Sequence, residues 1–158
     1  MNTLEVLNIA AKIERKIAAI YDIFRKEFKD ERQISSFWET LVNEEEAHAG
    51  FLDAKSVMVR LKPDIFGDTV VDSEILEQSL SEMEDLEKKM INGVTDFSAA
   101  LSIALKIETE VVEKRYNKLI EIGDPVIKKI FADLTKKHDH VERIVLVANE
   151  LGVKVPHS

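Results

Sequence analysis

The stretch FWETLVNEEEAHAGFL, residues 37–52, carries both a helical apolar stripe and an ionisable side chain within that stripe. Trp38, Leu41, Ala49 and Leu52 recur at spacings of three or eight residues, which is the periodicity of one helix face. Glu45 falls on the same face, between Leu41 and Ala49. The pattern therefore predicts a long helix that directs a carboxylate into the core.

Similar interruptions occur in three other apolar stripes. The five ionisable residues that we expect to face the core are Glu14, Glu45, His48, Glu108 and His138. Two internal similarities relate the halves of the chain: AAKIE at 10–14 resembles ALKIE at 104–108, and FWETL at 37–41 resembles IFADL at 130–134. These offsets of 94 and 93 residues pair Glu14 with Glu108 and Glu45 with His138. Four helices are thus expected to bring these side chains to one level of the core.

Two interpretations of this level stay open. A buried carboxylate without a partner is costly, so each one needs a proton, a hydrogen-bond donor or a cation. A divalent ion held by carboxylates and imidazole would satisfy all five groups together, whereas a proton-sharing cluster would satisfy them without metal. Glu44 and Glu46 are predicted to be solvated, and His140 to lie at the surface or at the edge of the site.

The remaining elements follow from periodicity, caps and breakers. The four predicted long helices span 3–28, 30–62, 96–122 and 125–151. Asn2 or Thr3 is expected to cap the first, and Asp30 and Gln33 to form a capping box at the start of the second. Thr95 or Asp96 is expected to cap the third, and Asp124 precedes the fourth. A shorter helix over 73–91, capped by Asp72 or Ser73, follows a predicted loop at 62–72. Short joins make antiparallel neighbours and the long join is a crossover. The prediction is one all-α domain, residues 1–158, built as an antiparallel four-helix bundle with an extra short helix between helices two and three.

The motif Glu14-x-x-Ile17-x-x-Ile20-Tyr21, followed by Glu-Glu-Glu-Ala-His at 44–48, resembles the first half of rubrerythrin-like members of the ferritin-like proteins. The resemblance implies a ferritin-like bundle, and members with two such halves bind two irons. It places Glu14, Glu45, His48 and Glu108 on ligand positions. On the same alignment, His138 replaces the second bridging glutamate and Val141 the second histidine.

The resemblance implies an iron-binding protein, and these replacements weaken its second position. We expect one iron, with a second ion only at high metal concentration, or another divalent metal in its place. Val111 stands where a further carboxylate is expected, and Arg115, near the equivalent of Tyr21, could neutralise Glu108 without metal. The implied function is a metal-dependent oxidoreductase acting on peroxide or oxygen, with electrons from a separate donor protein. The alternative is a non-catalytic metal-binding or interaction protein with a degenerate site.

Composition narrows the partners and the compartment. The chain has 30 acidic and 22 basic residues, a net charge of −8, so no nucleic-acid partner is predicted. It has no cysteine, which excludes disulfides and a rubredoxin-type iron site. An apolar run of about 18 residues, as a membrane span needs, is missing, and a cytoplasmic location is expected. A homodimer is predicted from the stripe on the crossover helix, formed by Ile75, Leu76, Leu80, Met83 and Leu86.

Overall fold

The computed structural model describes residues 1–66, 74–93, 96–136 and 139–155. Within these ranges all regular structure is helical, which confirms the all-α prediction. The elements are α1 (Thr3–Glu27), α2 (Arg32–Leu61), α3 (Pro63–Phe66), α4 (Glu74–Ile91), α5 (Phe97–Ile107), a π-helical segment (Glu108–Tyr116), α6 (Asn117–Ile122), α7 (Pro125–Thr135) and α8 (His140–Glu150).

Helices α1 and α2 form an antiparallel pair. The Ser56 hydroxyl lies 3.3 Å from the Asn8 side chain at one end, and the Ser35 hydroxyl lies 3.4 Å from the Arg25 carbonyl at the other. Asn2 caps α1 as predicted, with its side chain accepting from the Glu5 backbone N–H at 2.9 Å. The capping box predicted for α2 is wrong, because the helix begins at Arg32 without a side-chain cap.

The third long helix follows the predicted path but not the predicted winding. Asp96 caps α5 by accepting from the Ala99 backbone N–H at 2.8 Å, and Gly123 is the C-cap of α6. A Cβ at Gly123 would lie 2.6 Å from the Leu119 carbonyl oxygen, so the close turn requires glycine. Between α5 and α6 the chain is wound as a π-helix. Because π turns hold more residues than α turns, side chains beyond this segment are rotated relative to an uninterrupted α-helix.

The prediction of a continuous fourth helix is wrong. Helix α7 begins as predicted, with the Asp124 side chain accepting from the Ile127 backbone N–H and Pro125 in the first turn. However, Asp139 has φ −126° and ψ 16°, outside the helical region, and α8 begins at the next residue. The register of α8 therefore cannot be extrapolated from α7.

The crossover helix α4 packs along α1, and its apolar stripe is used in that packing. Leu76 and Met83 are buried, while Leu80 and Leu86 pack against the core from partly buried positions. The observation on which the homodimer prediction rested is therefore removed. Because α4 takes part in the packing as a fifth helix, the arrangement is not plainly a four-helix bundle, and the ferritin-like fold stays a proposal.

The structure describes the C-terminal end of the crossover more fully than its N-terminal end. The predicted loop at 62–72 opens with the short helix α3, and the proposed caps Asp72 and Ser73 lie outside the described residues. Helix α4 ends at Ile91, and Gly93 follows with φ 101°, in agreement with the predicted Asn-Gly stop. No helix among the described residues is long and apolar enough to cross a membrane.

Candidate metal centre

Three carboxylates from three different elements are buried together. Glu14 of α1 and Glu45 of α2 are each 1% exposed, and Glu108, the first residue of the π-helical segment, is 0% exposed. His48, one turn beyond Glu45, lies beside them with a side chain that is 25% exposed. Four of the five predicted site residues are thus brought together, while His138 lies outside the described residues.

The first group of potential ligands consists of Glu14, Glu45 and His48. The Nδ1 atom of His48 lies 3.4 Å from Oε2 of Glu45 and 3.6 Å from Oε2 of Glu14. The latter distance exceeds that of a hydrogen bond, and Oε2 of Glu14 has no hydrogen-bond partner among the described residues. A buried carboxylate oxygen without a donor is costly, and a cation would compensate it.

The second group consists of Glu45, Glu108 and His140. The Nδ1 atom of His140 lies 2.8 Å from Oε1 of Glu45 and 3.1 Å from Oε1 of Glu108. His140 is only 2% exposed, so of the two positions expected for it the surface is wrong, and it lies at the site. Glu45 belongs to both groups and turns a different oxygen towards each histidine, which makes it a bridge between them.

Two buried tyrosines hold the outer carboxylates in a crossed arrangement. The Tyr21 hydroxyl of α1 donates to Oε1 of Glu108 at 2.6 Å, and the Tyr116 hydroxyl donates to Oε1 of Glu14 at 2.6 Å. Tyr21 follows Glu14 by seven residues, whereas Tyr116 follows Glu108 by eight. The π-helical segment accommodates the additional residue, so that both hydroxyls meet the opposite carboxylate.

Arg115 does not neutralise Glu108, contrary to the alternative considered from sequence. Its guanidinium donates to the Ser79 hydroxyl at 2.8 Å and pairs with Glu82 at 2.8 Å, both on α4. The rotation introduced by the π-helical segment directs Tyr116, rather than Arg115, towards the buried carboxylates.

Removal of either tyrosine hydroxyl is expected to destabilise the protein by about 1–3 kcal/mol, because a buried carboxylate oxygen then loses a hydrogen-bond donor. Tyr116→Phe and Tyr21→Phe preserve the ring packing and test this by urea denaturation of the metal-free protein. Ser102→Ala is a matched control, because its hydroxyl donates to the Ser98 carbonyl within α5 and to no other described residue. Phenylalanine variants as stable as the control would contradict the assigned role of the hydroxyls.

The outer face of His140 is held by residues that the sequence predictions left in solvent. Its Nε2 atom lies 2.7 Å from Oε2 of Glu44, and the same oxygen accepts from the Arg143 guanidinium. Arg143 Nε also lies 2.9 Å from Oδ1 of Asp139. Glu44, Asp139 and His140 form a third group of potential ligands, but Arg143 already supplies a cation to both of its carboxylates.

The pKa values in the site depend on three buried carboxylates that lie close to one another and to two imidazoles. Burial, together with the negative charges of Glu14 and Glu108, raises the pKa of Glu45 well above its usual value. Burial would raise the pKa of Glu14 as well, but the Glu45 carboxyl, the His48 imidazole and the Tyr116 hydroxyl beside it stabilise its charged form and lower that pKa. Without metal, Glu45 therefore holds a proton more readily than Glu14 does.

Both histidines bind protons strongly in the absence of metal. Burial lowers their pKa values, but hydrogen bonds and charges from the neighbouring carboxylates outweigh this effect. The carboxylates are Glu14 and Glu45 for His48. For His140 they are Glu108 and Glu45. The resulting pKa is about 10 for His48 and about 11 for His140. Protons and hydrogen bonds can thus compensate the buried charge, and a metal ion would take the place of those protons.

The residue types fit a metal ion. Each inner group offers two carboxylates and one imidazole, a donor set that suits iron, manganese or zinc, and the available oxygen of Glu14 is of the kind that an ion would occupy. The chain is therefore one in which buried Glu/His clusters could hold metal. Comparison with models of known protein families, with curated proteins and with solved structures gave no match.

Sequence reasoning missed His140, Tyr116 and the Glu44–Arg143 pair, although one signal was available. An offset of 95 residues pairs Tyr21 with Tyr116 and Glu45 with His140. The offset of 94 was taken from a segment that ends where the π-helical segment begins, and the offset of 93 from a segment before the break at Asp139. Neither offset could therefore include the change of register that follows these two irregularities.

Proposed function

We propose that this chain is a ferritin-like iron protein that binds two adjacent metal ions and reacts with peroxide or oxygen, drawing electrons from a separate donor protein. The observation that supports it best is the position of Glu45. Its Oε2 lies 3.4 Å from the His48 imidazole and its Oε1 lies 2.8 Å from the His140 imidazole. A carboxylate placed between two ligand groups is the arrangement by which a bridging glutamate serves two ions.

Each of the two inner groups would bind one ion. Glu14, Glu45 and His48 would hold one ion, and Glu45, Glu108 and His140 the other. Three carboxylates compensate three of the four positive charges of two divalent ions, so the buried centre would retain little net charge. When bound, such an iron pair supplies electrons for the reduction of peroxide or oxygen.

The surrounding residues would orient these ligands. Burial and neighbouring carboxylates raise the pKa of the Tyr21 and Tyr116 hydroxyls well above the usual value, so both remain hydrogen-bond donors. They hold one oxygen of Glu108 and one of Glu14, respectively. Glu44 accepts from Nε2 of His140, which directs Nδ1 towards the buried carboxylates, the kind of outer contact that fixes a metal-bound imidazole.

A second candidate is a non-catalytic protein that binds metal at one position only. On the offset of 95 residues, Arg143 stands at the position of His48, so the second half lacks a Glu-x-x-His pair. Val111, one turn after Glu108, is buried and apolar, and therefore gives no further carboxylate. These replacements favour weaker binding at the Glu45–Glu108–His140 group than at the Glu14–Glu45–His48 group.

Anaerobic titration of metal-free protein with ferrous iron distinguishes the two candidates. The proposed centre should bind about two ions per chain, and addition of peroxide should then oxidise them with a change in the near-ultraviolet absorption. Zinc, which has no redox chemistry, is the control for oxidation and should bind without this change.

The catalytic proposal requires turnover after that first oxidation. A chemical reductant stands in for the donor protein, and continued peroxide consumption should exceed that of the zinc-loaded protein. Binding of a single iron with no peroxide consumption would instead support the non-catalytic candidate. Absence of any tight iron binding would contradict both.

A further inference from the structure

A cleft with a volume of about 500 Å³ lies between α4 on one side and α5 with the π-helical segment on the other. Its floor is apolar: Met83 and Leu86 come from α4, and Ile103, Ile107 and Val111 come from the opposite wall. Met83, Ile107 and Val111 are buried and the other two are partly buried, so the apolar side chains lie at the bottom of the cleft. A volume of this size is typical of small-molecule sites, which span about 300–1,000 Å³.

The second wall of the cleft is a row of side chains on one helix face. Ile103, Ile107 and Val111 follow one another at intervals of four residues, and Arg115 is the next position in this row. The Arg115 guanidinium pairs with Glu82 of α4 at 2.8 Å, so it joins the two walls. At this end the cleft is closed by a polar bridge, whereas beside the three apolar residues the space between the walls is open.

Several charges at the rim of the cleft are compensated within the chain. Glu82 pairs with Arg115, and the Glu110 carboxylate accepts from the Lys114 ammonium at 2.7 Å. These two pairs contribute no net charge to the cleft. They leave three other charged side chains at the rim, and these decide which ligand the cleft would attract.

Two lysines, one from each wall, stand at the rim without an ion pair among the described residues. Lys89 of α4 and Lys106 of α5 are both exposed, and both line the cleft. Asp85, one turn before Lys89, is the third of these charges. Two positive charges and one negative charge leave the rim with one excess positive charge. A cleft of this kind attracts an anion, and a single carboxylate would balance its charge.

We propose that this cleft binds a monocarboxylate with an apolar tail, its carboxylate between Lys89 and Lys106 and its tail on the apolar floor. A phosphate ester shares the anionic chemistry, but it carries about 1.5 to 2 negative charges at neutral pH, more than the rim compensates. The carboxylate is therefore the better match. The proposal goes beyond the metal centre, because no described residue of the three groups of potential metal ligands lines the cleft.

Isothermal titration of the metal-free full chain with octanoate tests the proposal, because without an ion no carboxylate can bind by coordinating metal. From butanoate to octanoate the affinity should rise about three- to fourfold for each added methylene group, since each group buries apolar surface on the floor. Octan-1-ol keeps the tail but has no charge, so it should bind at least about tenfold more weakly than octanoate. Octyl phosphate should bind no more tightly than octanoate.

Two sets of variants locate the binding. Lys89→Gln combined with Lys106→Gln should lower the affinity for octanoate at least about tenfold, because the carboxylate loses both cations. The matched control combines Lys88→Gln with Lys118→Gln, at two exposed lysines that do not line the cleft, and should bind as the natural chain does. Ile103→Trp fills the floor from a partly buried position, so it should abolish octanoate binding with an unchanged helical circular dichroism spectrum.

The lysine variants change exposed residues only, so they decide the question even if Ile103→Trp does not fold. A natural chain that does not bind octanoate would overturn the proposal. So would equal losses of affinity in the lysine variant and its control, or octan-1-ol that binds as tightly as octanoate. Tighter binding of octyl phosphate would also overturn it and would assign the cleft to phosphate esters instead.

Discussion

Replacing Glu45 by glutamine should abolish tight metal binding at both positions at once. Glu45 is the only described residue that belongs to both inner ligand groups. The amide keeps one weakly binding oxygen and loses the negative charge, so neither group retains two carboxylates. We expect the affinity for ferrous iron to fall at least about 100-fold, equivalent to about 2.7 kcal/mol.

The comparison with the outer carboxylates makes this prediction specific. Glu14→Gln and Glu108→Gln each remove a ligand from one group only, so each should leave about one ion bound per chain. Glu39→Gln, at an exposed residue two turns earlier on α2, is the matched control and should bind as the natural chain does. Anaerobic titration followed by metal analysis measures all four.

The stability of the metal-free variant provides a second measurement. Because burial raises the pKa of Glu45, this side chain holds a proton more readily than an exposed carboxyl does in the absence of metal, and an amide replaces a protonated carboxyl closely. Glu45→Gln should therefore fold without metal about as stably as the natural chain. If it binds iron as tightly as the Glu39→Gln control, Glu45 is not a bridge and the two-ion proposal fails.

The course of the helices was predictable because strong local signals mark it. Asn2, Asp96 and Asp124 cap the helices as predicted, and Gly93 and Gly123 follow the ends of α4 and α6. These signals depend on a few neighbouring residues and on the backbone's own donors, so one sequence is enough to read them. The inward direction of Glu14, Glu45 and Glu108 was predictable for a similar reason, since each interrupts a regular stripe.

The winding within those helices was not predictable from the same signals. Neither the π-helical segment at Glu108–Tyr116 nor the break at Asp139 has a proline or glycine to mark it. Periodicity assumes a constant residue count per turn, so it predicted an inward His138 and allowed an inward Arg115. The structure directs Tyr116 inward in place of Arg115, and it brings in His140, two residues after His138, which lies outside the described residues.

Surface assignments failed where a charged residue reached a buried partner. Glu44 follows no apolar stripe and was predicted to be solvated, yet it contacts both His140 and Arg143. Such contacts join residues almost a hundred positions apart, and no local pattern contains them. The ring of contacts around a candidate metal site is therefore the part of a fold that a single sequence describes least well.

A comparison of His140→Ala with His138→Ala tests the sequence-based and the structure-based assignments against each other. His140 lies against two buried carboxylates, and its pKa of about 11 makes it a cation in the metal-free protein. Removing a charged partner from a buried ion pair is expected to cost about 3–5 kcal/mol. We therefore expect His140→Ala to lose that amount of unfolding free energy in urea denaturation of the metal-free protein.

Metal binding should change in the same variant. His140→Ala removes the imidazole of the Glu45–Glu108–His140 group but leaves the Glu14–Glu45–His48 group complete, so iron binding should fall from about two ions per chain to about one. His138→Ala is expected to retain both ions and most of the stability. The sequence-based assignment of His138 predicts the opposite order for the two variants.

A double variant separates the lost charge from the lost side-chain volume. His140→Leu restores apolar volume but not the cation, and combining it with Glu108→Gln removes a carboxylate whose oxygen lies 3.1 Å from Nδ1. If the cost arises from buried charge, the double variant should be more stable than the sum of the single effects predicts, because interacting residues are not additive. Strictly additive effects would show that His140 contributes through packing alone. Loss of an iron ion in His138→Ala but not in His140→Ala would assign the second imidazole ligand to His138 and contradict the role given to His140.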